Sequence, residues 1–342
     1  MNFNQHIARA LAALACCAAL PLAVSCGFSG GSDKEDTVKT VTTIEADIHG
    51  IKLGDKPSAF KVDKSGDLEL KTLVNTVLPE FEQFEYIDPA SGRSMKYNLY
   101  TPVHMESSKR YPLVMFMGDA TTVGDEYTTP LTQGFGALIW ATEQWQRRYP
   151  AYVLVPQFSG VVVNDKYERT DEADLAIRLL DYVINQNHVD RDRIYVTGQS
   201  MGGMLAMYYT VNYPNVFAGS LFVDCHWNPK SYDQLAHHVF TFICAGDQGK
   251  SADALKGLEL AARQDDVRYE YARWSARLPQ AEQDALAKQL VSKGAKINII
   301  NFTPGSVVPE GKTGSEHMYS FDCAYRLTPV REWLFRQTRN KR

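Results

Sequence analysis

The rhythm of apolar and polar positions changes once along the chain. From Thr37 to about Ser107, "TVKTVTTIEADI", "SAFKVD", "FEQFEYID" and "MKYNLYTP" are rich in β-branched or aromatic residues and are separated by the turn clusters "KSGD" and "PASGR". They predict a small N-terminal β segment. After "SSKRYP" the strands read differently: "LVMFM", "YVLVP", "RIYVTG", "GSLFVDC", "VFTFICAG" and "INIINF" are short, nearly continuous apolar runs, as expected of strands buried on both faces. Helical patterns lie between them. Leu175, Ala176, Leu179, Leu180, Val183 and Ile184 form one stripe, with Thr170 or Asp171 as its N-cap, and Thr328-Pro329 opens a last helix whose apolar face is Val330, Trp333 and Leu334. This alternation predicts an α/β fold with a mostly parallel central sheet and helices on both faces. Two stretches stand outside it. "DATTVGDEYTTPLTQGFGALIWATEQWQRR" is a long excursion after the first core strand, and Ser251 to Gly294 reads as mainly helical, with Gly294 as its stop. Long connections at strand ends are where a cleft is shaped.

The first residues follow another pattern. "ALAALACCAALPLAV" is apolar but too short for a permanent membrane span; Arg9 precedes it, no acid does, and "LAVSC" places small residues before Cys26. This ending resembles the bacterial lipobox. The expectation is a lipoprotein-type signal over 1–25, a lipidated Cys26, a polar tether over 26–37, the β segment over 38–83 and the α/β domain over 84–342. A signal cleaved without lipidation is the alternative. Export would place the protein in the cell envelope, facing the periplasm or the surface, with the membrane met through the anchor. Cys225, Cys244 and Cys323 then remain beside Cys26; Cys225 and Cys244 each end a strand, and the spacing allows either a bridge or three buried thiols.

Charge narrows the partners. Lys plus Arg total 36 against 40 Asp plus Glu, so no net positive field draws in nucleic acid. No His/Cys/Asp cluster has zinc-ligand spacing and no phosphate-cradling loop is present, so no cofactor is expected.

"GQSMG" matches G-x-S-x-G at Gly198, Ser200 and Gly202, with the apolar run Ile194–Val196 entering it and a helical run from Met204 leaving it. That context suits a nucleophile on a sharp strand-to-helix turn: small flanking residues tolerate the close approach, and the helix N-terminus aims free N–H groups at an oxyanion. A serine hydroxyl needs a base, and His317 in "GSEHMYSFDCAY", a polar loop before the last helix, is the candidate. The acid that orients the imidazole should end a strand between them. Asp247 in "FICAGDQGK" is the first choice; Asp224 in "LFVDCHW" and Asp253 are the alternatives. The backbone N–H groups of Met201 and Ala120 are the expected oxyanion donors.

At these residues the sequence resembles a family. "YPLVMFMGDA", "LTQGFGALIWA", "YVLVPQF", "DRIYVTGQSMGGMLAMYYTVNYPNVFAGSLFVDC", "FICAGD" and "EHMYSFDCAYRLTPVREWLF" are similar, in the same order, to α/β-hydrolases of the esterase and predicted-peptidase group related to feruloyl-esterase and polyhydroxybutyrate-depolymerase-like enzymes. The resemblance runs from about Phe84 to Gln337. It implies the α/β-hydrolase fold, a nucleophile at Ser200, a base at His317 and an acid at Asp247. Many members carry that acid a few residues later, in G-x-x-D. A second departure lies at the oxyanion loop, where an expected His-Gly or His-Asp reads Gly118-Asp119. The implied activity is ester hydrolysis on small, acyl or phenolic-acyl glycan substrates, with a peptidase on the same triad and a non-catalytic binding lipoprotein as alternatives.

Overall fold

Neighbouring residues of one central strand feed two separate apolar layers. Leu113, Met115 and Met117 pack with Leu175, Leu179, Leu205 and Leu258, whereas Val114 and Phe116 pack with Leu290, Phe321 and Leu334. The period of two along an extended chain sends alternate side chains to opposite faces, so a continuous apolar run needs cover on both. The computed structural model describes residues 51–57 and 62–339. The signal, Cys26, the tether and "TVKTVTTIEADI" lie outside them.

The described strands are β1 (Glu82–Ile87), β2 (Ser94–Tyr100), β3 (Tyr111–Met117), β4 (Tyr152–Gln157), β5 (Val189–Gln199), β6 (Gly219–Val223), β7 (Phe240–Ala245), β8 (Tyr269–Trp274) and β9 (Ile297–Phe302). They form one sheet of order β1-β2-β4-β3-β5-β6-β7-β9-β8. The β1–β2 and β2–β4 pairs are antiparallel, and every later pair is parallel. The helices are α1 (Leu68–Thr76), α2 (Thr129–Thr132), α3 (Phe135–Leu138), α4 (Glu143–Arg148), α5 (Glu172–Gln186), α6 (Met201–Asn212), α7 (Tyr232–Ala236), α8 (Gly249–Gln264), α9 (Gln280–Val291), α10 (Glu316–Arg326) and α11 (Thr328–Phe335). Helices α5 to α8 cover one face; α3, α4 and α9 to α11 cover the other. This is the expected α/β architecture.

Three local expectations change. Leu68–Thr76 within the expected β segment is a helix, capped by the Asp67 carboxylate on the Leu70 N–H at 3.0 Å. "FEQFEYID" and "MKYNLYTP" do become strands, but they extend the main sheet at its edge, so a boundary at residue 84 falls inside β1. The expected helical stretch from Ser251 contains β8, an edge strand whose half-exposed, charged faces hide the apolar signal of a core strand. Gly294 does stop α9, at φ +80°. Among the described residues no helix is long and apolar enough to cross a membrane.

Candidate active site

Strand β5 ends in a turn that the backbone tolerates only under constraint. Ser200, between Gln199 and the first residue of α6, has φ 51° and ψ −121°, and its N–H donates to Val223 O at 3.0 Å. A non-glycine residue at such angles is strained and is held there by its surroundings. The flanking glycines supply the room. A Cβ on Gly202 would lie 2.1 Å from Met117 O, and one on Gly198 would lie 2.3 Å from the Gly202 carbonyl. The glycines are therefore a steric requirement of β3, β5 and α6 meeting at one point.

His317 reaches this serine. Its Nε2 is 2.9 Å from Ser200 Oγ, and its ring meets Phe321 edge-on at 5.0 Å between centroids. The imidazole stands on the first turn of α10, not in a loop: "EHMYSFDCAYR" is helical and packs Phe321, Ala324 and Tyr325 into the core.

Behind the imidazole stands Asp224, not Asp247. Asp224 Oδ2 is 3.4 Å from His317 Nδ1, its side chain is 3% exposed, and its N–H donates to Ile243 O at 2.7 Å. Ser320, one turn along α10 from His317, places its hydroxyl 2.7 Å from both Asp224 Oδ2 and His317 O; its single hydrogen serves one of them at a time. Asp247 instead accepts from Arg273 Nη2 at 2.8 Å and is half exposed. Asp253 is an exposed partner of Lys256. The reason lies in the sheet. Val223 is paired with Gln199 across β5 and β6, so the residue after β6 flanks the serine directly, whereas Asp247 leaves β7, one strand further out.

Met201 opens α6, and Ala120 opens a short 3-10 turn over Ala120–Thr122 that follows β3. The two segments touch, as the close approach of Met117 O and Gly118 O to Gly202 shows. Asp119, marked in the sequence only as part of the departure at the oxyanion loop, and Gln199, which the sequence reading passed over, join them: Gln199 Nε2 donates to Asp119 Oδ2 at 3.0 Å. Asp119 directly precedes the expected donor Ala120, and Gln199 directly precedes Ser200.

Thr121 of the 3-10 turn also lines a cavity of about 480 Å³, together with Val62, Leu70 and Val74, the charged Lys64, Asp67 and Lys71, and Thr132 and Gln133. A second cluster joins loops at the same end of the sheet. His226 Nε2 lies 3.1 Å from Asp165 Oδ1, and Lys250 pairs with the other oxygen. Burial pushes the Asp165 carboxyl up, but the hydrogen bonds from His226 and Lys250 outweigh it and bring it to about 2. Next to His317, burial raises the Glu316 carboxyl, with the nearby Asp224 charge adding to the shift.

Cys225 and Cys244 are buried free thiols, not a bridge, and burial raises both well above the ordinary range. Cys225 faces α6 at Gly203, while Cys244 Sγ is 3.7 Å from Asn301 on β9. Among the described residues no group of His, Cys, Asp or Glu is arranged to hold a metal ion.

With this geometry in place, comparison with known proteins is informative. The model of the prolyl oligopeptidase family matches residues 163–274, about a third of the chain. A thermostable esterase of known structure superposes with TM-score 0.61 at 20% identity, over 77% of this chain and 64% of that one. The chain shares the fold of that esterase. A protein named FAE matches at TM-score 0.51 and 13% identity, over 84% of this chain and 96% of its own length. A ferulic acid esterase of the anaerobic fungus Anaeromyces mucronatus gives TM-score 0.45 at 12% identity, over 82% and 99% of the two chains. The chain spans just under two thirds of the length of the esterase with TM-score 0.61. No curated protein matches it.

Proposed function

We propose that the protein cleaves carboxylic esters through an acyl-enzyme, with Ser200 as nucleophile, His317 as general base and then acid, and Asp224 as the group that orients the imidazole. The observation that carries the reading is the 2.9 Å contact of His317 Nε2 with Ser200 Oγ. A hydroxyl at that distance from an imidazole nitrogen can hand over its proton as it attacks. Asp224 keeps the Nδ1 proton on the far side of the ring, and the imidazolium that forms is stabilised by a buried carboxylate. The N–H groups of Met201 and Ala120 receive the oxyanion. His317 then protonates the leaving alcohol, and water, deprotonated by the same imidazole, releases the acid.

The short connection between β6 and β7 holds only the five-residue α7 with a preceding turn, which favours an open cleft and acyl groups on glycans or small esters over long buried chains. The cavity that Thr121 lines, with Val62, Leu70 and Val74 set among Lys64, Asp67 and Lys71, would offer part of such a substrate a mixed apolar and charged wall. We place the mature protein in the bacterial cell envelope, tethered through lipid on Cys26, on the strength of the "LAVSC" sequence. The partial match to the prolyl oligopeptidase family favours a second reading, a peptidase on the same residues.

Hydrolysis of p-nitrophenyl acetate and butyrate, beside matched anilides, tests both readings. Ester turnover that falls at least about 10⁴-fold in Ser200→Ala supports the esterase. Anilide turnover without ester turnover supports the peptidase, and a folded protein that neither hydrolyses nor takes a fluorophosphonate at Ser200 refutes both.

A further inference from the structure

We infer that Asp119 is a positioning residue, which fixes the two oxyanion donors relative to one another through Gln199. The inference deepens the functional reading above and rests on it. Asp119 follows β3, immediately precedes Ala120, and is 1% exposed. One carboxylate oxygen accepts the Thr121 N–H at 2.8 Å and the Thr121 hydroxyl at 2.6 Å, which shapes the turn that presents Ala120. The other accepts from Gln199 Nε2 at 3.0 Å, and Gln199 immediately precedes Ser200. A single carboxylate thus bridges the backbone segments that hold the two expected donors.

The Gln199 amide is held in one orientation. Its Nε2 also meets Gln133 Oε1, while its Oε1 is buried without a hydrogen-bond partner. Turning the amide over would set an oxygen against the Asp119 carboxylate. In the α/β-hydrolases that the sequence resembles, a histidine stands where this chain has Gly118; here the brace comes from the next residue and acts on the strand that carries the nucleophile.

The charge of Asp119 argues that its contribution is geometric. A negative group beside a developing oxyanion opposes it, so a purely electrostatic account makes removal of the carboxylate an improvement. The bridge makes the opposite forecast, because displacement of a reacting group by about 1 Å lowers rate by roughly 10²-fold.

The test follows kcat and KM for p-nitrophenyl butyrate, and the rate of fluorophosphonate labelling, in Asp119→Ala, Gln199→Glu and the double variant Asp119→Asn/Gln199→Glu. In Gln199→Glu two carboxylates oppose each other; kcat and labelling should fall roughly 10²-fold with KM nearly constant. In the double variant the asparagine amide donates to the glutamate and its oxygen still accepts from Thr121, so the bridge is rebuilt with reversed polarity and kcat should recover to within about tenfold of the wild type. Asp119→Ala should lose kcat like Gln199→Glu. Should Gln199→Glu fail to fold, Asp119→Ala and the double variant decide the matter. A wild-type kcat in Asp119→Ala, a double variant no better than the variant with the broken bridge, or a loss confined to KM overturns the inference. Absence of Ser200-dependent turnover in the wild type overturns the functional reading, and the inference with it; an active wild type with uncoupled variants overturns the inference alone.

Discussion

Lys64 Nζ lies 2.8 Å from Asp322 Oδ2, and neither side chain is more than 9% exposed. The lysine belongs to the segment ahead of α1, while the aspartate stands on α10, five residues beyond His317. Asp322 Oδ1 also accepts the Phe135 N–H at 2.9 Å. Arg326 on the same helix pairs with Asp67 at 2.9 Å and with Glu69 at 3.1 Å. The N-terminal segment therefore clamps the helix that presents the histidine. Removing one partner of a buried ion pair leaves the other charge uncompensated, so Lys64→Met should destabilise by about 3–5 kcal/mol in urea denaturation. Adding Asp322→Asn, which removes the uncompensated charge while the amide oxygen still accepts the Phe135 N–H, should recover part of that loss. A shift below about 0.5 kcal/mol in Lys64→Met would show that the pair is relaxed by solvent.

Asp224 and Asp247 make opposite forecasts. Asp224→Asn keeps the shape but lets the amide donate toward Nδ1, which favours the wrong imidazole tautomer; kcat should fall about 10³–10⁴-fold. Asp247→Asn disturbs a half-exposed pair with Arg273 and a long 3.4 Å hydrogen bond from Asn301, and should stay within about threefold of the wild type, the range of a surface ion pair. The reverse ranking in p-nitrophenyl acetate hydrolysis would return the acid to β7.

Gly202 is constrained by backbone rather than by a movable side chain. A methyl group there would meet Met117 O at 2.1 Å and Gly118 O at 2.6 Å, so β3 and α6 must separate. Gly202→Ala should cost about 1–3 kcal/mol and widen the oxyanion hole, with fluorophosphonate labelling slowed more than stability alone explains. An alanine variant that labels at the wild-type rate would mean that the turn relaxes without displacing the donors.

Asp165 gives a pH test whose sign is fixed. Its carboxyl falls from an ordinary 3.8 to about 2 in the folded protein, because the bonds from His226 and Lys250 outweigh burial. A lowered carboxylate stabilises the fold above its unfolded value and loses that effect as pH falls toward the folded one. The stability difference between wild type and Asp165→Asn should thus be fully present above about pH 4 and should fade between pH 4 and pH 2. A difference independent of pH would indicate that the cluster acts by packing.

Much of this protein is decided by local pattern. Continuous apolar runs forced strands with two covered faces, and the stripe from Leu175 to Ile184 could only be a helix lying on them. Gly198, Ser200 and Gly202 announced the turn because few other side chains fit where β3, β5 and α6 converge. The choice of acid was not local. Asp224 and Asp247 both follow strand ends, with Asp253 a little further on inside α8, and nothing in the neighbours of the first two ranks them; only the sheet order, which sets β6 beside β5, brings Asp224 to the histidine. The edge strand β8 and the helical setting of His317 were hidden for a related reason, since a half-exposed strand and a polar-faced helix take their form from what packs against one side. The Asp119–Gln199 bridge, spanning 80 residues of sequence, exists because parallel strands β3 and β5 end side by side. Sequence fixes which faces must be buried, and only the three-dimensional register determines which polar groups then meet.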